Sequence, residues 1–122
     1  MNAAMDIPAG VDAERAGECD LRARRVTHDT EQLFQAIATR HPRRFAAGVD
    51  PGADGAPTAC RLLWLEHERT VEVVRYGTSL TCHVIEGDRL LPVAAGQASE
   101  AVVDVFMARL ARLLEREATE EI

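Results

Sequence analysis

Residues 58–93, TACRLLWLEHERTVEVVRYGTSLTCHVIEGDRLLPV, decide the fold. β-branched and aromatic residues fill three runs and a shorter fourth, and turn chemistry separates them. Val71, Val73 and Val74 mark the second run; Leu80, Val84 and Ile85 mark the third. Glu66-His67-Glu68-Arg69 is a polar reversal, and Gly77 and Gly87-Asp88 supply residues that accept a hairpin backbone. Connections this short join antiparallel neighbours, because a parallel pair needs a crossover of a dozen or more residues. The stretch predicts a three- to four-stranded antiparallel meander.

Alternation assigns the faces. Cys60, Leu62, Trp64, Val71, Val73, Leu80, Cys82 and Val84 share an inner side. Arg61, Glu72, Thr81 and His83 point the other way, together with Leu63, Leu65, Val74, Tyr76 and Ile85. The outer face is therefore mixed, with an apolar strip down its middle.

Outward from the sheet, residues 99–118 predict a helix. Ser99 is placed to cap it, Glu100 and Asp104 stand where the dipole favours acids, and Val103, Phe106, Met107, Leu110, Leu113 and Leu114 form an apolar stripe. Before the sheet, residues 30–40 predict a second helix, with Asp29 as N-cap, Gln32 completing a capping box and Pro42 ending it. Leu33, Phe34, Ile37 and Ala38 share its apolar face. Residues 43–57 read as a long loop, 94–98 as a small-residue connector, 21–26 as a short extended segment and 1–20 as a flexible acidic tail. The expectation is an α+β two-layer sandwich: one domain over 21–122, its meander flanked by an N-terminal and a C-terminal helix.

A chain of 122 residues supports one core. All 14 basic residues are Arg, as a GC-rich coding bias would give, and the net charge of −6 argues against nucleic acid or an anionic membrane as a partner of the whole surface. No apolar run is long enough to span a bilayer, and the start lacks the basic and apolar parts of a signal peptide. Three widely spaced cysteines give no disulfide framework, so a reducing cytoplasm is expected.

The motifs of chemistry are missing. No C-x-x-C or H-x-x-x-H pair anchors a metal, and Cys82 and His83 point to opposite faces of one strand. The carboxylates of Glu66 and Glu68 sit in a solvated turn, where nothing separates their pKa values for acid–base work. No glycine-rich phosphate cradle occurs, and residues 48–55 lack the distal Glu of a calcium loop. Neither cofactor nor catalytic residue is assigned, and the reading leans away from an enzyme.

Charge distribution is informative. Five acids against one Arg give residues 1–20 a charge of −4, and six Arg against two acids give residues 21–44 a charge of +4. Arg22, Arg24, Arg25, Arg40, Arg43 and Arg44 thus gather at the two expected ends of the first helix, as a site for an anion or an acidic partner. The order helix–strands–helix is similar to that of double-stranded RNA-binding domains, whose second helix opens with bases; residues 97–104 carry two acids and no base, which excludes that use. In size and acidity the chain is also similar to type III secretion chaperones, but their central helix between two groups of strands is missing.

The function expected from these readings is that of a bacterial-type accessory protein: a chaperone, immunity protein, antitoxin or inhibitor. It would bind a protein partner or a second copy through Leu63, Val74, Tyr76, Ile85 and His83. The alternative is a small-molecule- or anion-binding domain that uses the Arg cluster and the 43–57 loop.

Overall fold

A computed structural model describes the backbone of residues 9–120 and the side-chain surroundings of residues 17–115. The order is α1 (Ala9–Arg40), β1 (Phe45–Asp50), β2 (Ala59–Trp64), β3 (Arg69–Tyr76), β4 (Ser79–Glu86), β5 (Arg89–Gln97) and α2 (Glu100–Glu120). The strands form one antiparallel sheet in sequence order, with both helices on one face: a two-layer α+β sandwich.

The meander follows from its turns. Gly77 and Gly87 take φ of 56° and 60°, which an L side chain rarely adopts, and each opens a two-residue connection. The first hairpin fixes Tyr76 opposite Ser79 and the second Glu86 opposite Arg89. The eight residues assigned inward from alternation are all buried. Phe106 and Leu110 of α2 and Phe34 of α1 close the same core from above. Ser99 caps α2 as expected, its Oγ accepting from Val102 N at 3.4 Å.

Three expectations need correction. First, α1 begins at Ala9, so residues 9–26 are helical rather than tail or extended, and Asp29 lies exposed in mid-helix instead of capping it; residues 1–8 lie outside the described residues. The buried face of α1 over residues 17–30 is Cys19, Ala23, Val26, Thr27 and Thr30. The spacing is helical, but small residues give it little hydrophobic contrast, and small residues let a helix lie close on a sheet. Cys60 Sγ reaches Thr27 O at 3.2 Å.

Second, residues 45–50 of the expected loop are a fifth strand. Phe45 is buried, with Ala47 and Val49 half-buried behind it, and every residue of β1 pairs with β2. Ala and Gly have low strand propensity, so pairing rather than composition makes it a strand. What remains of the loop is tied down: Asp54 receives both Arg75 Nη atoms at 3.0 Å, and a Cβ on Gly52 would meet the Ala56 carbonyl. Third, residues 94–97 are the end of β5, not a connector. Pro92 is tolerated there because β5 is an edge strand, and its register shifts at Cys82/His83.

Candidate functional site

Among the described residues, no element covers the face of the sheet opposite the helices. Register places its side chains in three rows across the strands. The central row runs Gly48, Arg61, Glu72, His83, Pro92. On one side lies Ala46, Leu63, Thr70, Ile85, Leu90; on the other Asp50, Ala59, Val74, Thr81, Ala95.

The middle is thus a line of paired charges rather than an apolar strip. Arg61 donates from Nε to Glu72 Oε2 at 2.6 Å and from Nη1 and Nη2 to the two Asp50 oxygens at 3.0 and 2.7 Å. Glu72 turns its other oxygen to His83 Nε2 at 2.7 Å. The Glu72 and His83 side chains are each 15% exposed. The bond from Arg61 holds the Asp50 carboxyl below its usual range, and Asp50 and Glu72 together push the guanidinium up.

The residues expected to form a binding strip fall around this line. Leu63 and Ile85 share one flanking row, with Thr70 between them, and Val74 lies in the other. All three are half-buried. Tyr76, 72% exposed, stands beyond both at the end of β3. His83 sits within the charged line. The pairing of Arg61, Glu72 and Asp50 with it was not assigned from sequence, although the turn at Gly77-Thr78 already counts back to Glu72 opposite His83.

The six arginines do not make one site. Because α1 is long, Arg22, Arg24 and Arg25 lie in its middle, about 22–27 Å along the axis from Arg40. Arg22 pairs with Glu18 at 3.8 Å and Arg24 with Asp20 at 2.8 Å, one turn away, and Arg24 also faces Asp54 at 3.8 Å. Arg40, Arg43 and Arg44 remain together at the carboxyl end of α1, all exposed.

The thiols of Cys60 and Cys82 are poor nucleophiles. Burial pushes Cys60 and Cys82 up to about 12, with the Glu31 charge adding to the effect at Cys60. Both lie on the inner face with Val73 between them, roughly 9–10 Å apart by strand spacing and too far for a disulfide. Glu66 and Glu68 are exposed in the β2–β3 turn. Among the described residues, no group of three His, Cys, Asp or Glu is placed to hold a metal ion, and no helix is long and apolar enough to cross a membrane.

No protein-family model matches the chain, and neither a curated protein nor a solved structure is significantly similar to it.

Proposed function

We propose that this chain is a non-enzymatic interaction protein that docks through its open sheet face, and that its first partner is a second copy of itself. The observation that carries this is the opposite charge of two neighbours at the centre of the face, Arg61 on β2 beside Glu72 on β3 in one cross-strand row. A two-fold axis between two such sheets, parallel to the strands and midway between β2 and β3, reverses the order. Arg61 then lies over the Glu72 of the second copy, while His83 faces its Gly48 and Asp50, in a flanking row, faces its Thr81. An isologous contact requires this kind of self-complementarity. The same operation sets Ala46 over Ile85 and Ala59 over Val74, small on large in both flanking rows.

The internal pairing also supports coverage. A charge buried without a partner is costly, whereas these enter an interface already hydrogen-bonded to one another. Three free, buried cysteines suit a reducing compartment, and we place the protein in a bacterial cytoplasm as an accessory factor of the chaperone, immunity, antitoxin or inhibitor type.

Light scattering after size exclusion tests the reading. The expected mass is twice 13.3 kDa, falling to the single value in Val74→Arg and Ile85→Arg, which stay folded because neither side chain belongs to the core. A wild-type monomer at up to about 1 mM, the weakest affinity the assay reads, overturns self-association. A dimer unchanged by both substitutions places the interface elsewhere.

A further inference from the structure

On the helix-covered side, the carboxyl end of α1 overhangs a chamber of about 270 Å³. Leu33, Ile37, Leu62, Trp64 and Leu114 wall it, and Arg40 and Arg44 stand at its rim. His41, Phe45 and Trp64 form an edge-to-face series from rim to core, with ring centroids 6.2 and 5.2 Å apart.

Its charged rim sets it apart from a packing void. Arg40 and Arg44 have no ion-pair partner among the described residues, in a chain of net charge −6. The helix dipole offers only about half a negative charge at this end, far short of two guanidiniums.

We infer that the chamber binds a small amphipathic monocarboxylate, its tail among Leu33, Ile37, Leu62 and Leu114 and its carboxylate accepting from Arg40 and Arg44 at the rim. A carboxylate offers two oxygens and about four lone-pair sites, enough for both guanidiniums. Scaled from the roughly 150 Å³ cavity that holds benzene, the chamber takes about ten non-hydrogen atoms. The inference is independent of the sheet-face reading, which concerns the opposite side of the sheet.

Trp64 is the sole tryptophan, so its emission reports on the chamber directly. The full chain is titrated with octanoate, with octan-1-ol as the uncharged control. Octanoate gives a saturable change with a midpoint below about 1 mM, and the alcohol binds at least about fivefold more weakly despite its greater hydrophobicity. Arg40→Gln with Arg44→Gln weakens octanoate at least about fivefold and leaves the alcohol unchanged, because only the charge-assisted bonds are lost. Ala36→Phe, at an exposed position lining the chamber, blocks both ligands without altering the circular dichroism spectrum. No saturable change with octanoate at up to about 10 mM overturns the inference, as does an alcohol that binds as tightly as the acid.

Discussion

Removing Glu72 strikes the charged line at its centre. Its two oxygens receive Arg61 Nε at 2.6 Å and His83 Nε2 at 2.7 Å, and both bonds vanish in Glu72→Ala. Fully exposed ion pairs contribute at most about 1 kcal/mol, whereas shielded hydrogen bonds to charged groups contribute about 1.5–3 kcal/mol. Arg61 keeps both bonds to Asp50 and is one-third exposed, so its loss falls at about 1 kcal/mol. His83, largely shielded, loses its partner at about 1–2 kcal/mol. The substitution should therefore cost about 2–3 kcal/mol and lower Tm by about 10 °C in a domain of this size.

Urea denaturation of Glu72→Ala, His83→Ala and the double variant forms the assay, repeated at several protein concentrations because a dimer makes apparent stability depend on them. The double variant should cost less than the two single ones together by about 1 kcal/mol or more. Costs that add to within about 0.3 kcal/mol, or a Glu72→Ala change below about 0.5 kcal/mol, refute the reasoning. The row would then be a solvated surface pair, and the case for a coverable face would lose its physical basis.

Alkali provides a second test. The Cys60 and Cys82 thiols are pushed up to about 12, above the unfolded value of about 8.5, so stability is full below pH 8.5 and is lost as pH rises towards 12. By pH 10.5 the two thiols together should remove about 2–5 kcal/mol, and Cys60→Ala with Cys82→Ala should flatten the dependence of the urea midpoint on pH. Phe34, 1% exposed where α1 crosses the core, should cost about 3–5 kcal/mol as Phe34→Ala, read from the same midpoint, whereas Leu90→Ala on the exposed edge strand should change it by less than about 0.5 kcal/mol.

Local chemistry in the sequence determined the middle of this protein. Period-two alternation named the inner face, and Gly77 and Gly87 fixed two hairpins and hence their register. Once the Gly77-Thr78 turn is placed, every β3–β4 pair follows, including Glu72 with His83, whereas the β4–β5 register holds only as far as the shift at Cys82/His83. The wide stripe of Phe106 and Leu110 likewise defined α2. Tertiary structure decided what had no local signal. The middle of α1 buries Ala23, Thr27 and Thr30, residues whose burial reflects closeness to the sheet rather than hydrophobicity. β1 is a strand because β2 offers it hydrogen bonds, not because Ala46, Ala47 and Gly48 favour extension. The long helix also divided the arginines: acids one turn away pair with Arg22 and Arg24, while Arg40 and Arg44 reach the rim of a chamber whose walls come from α1, β2 and α2. Such meetings depend on the path of the whole chain, which no window of neighbouring residues encodes.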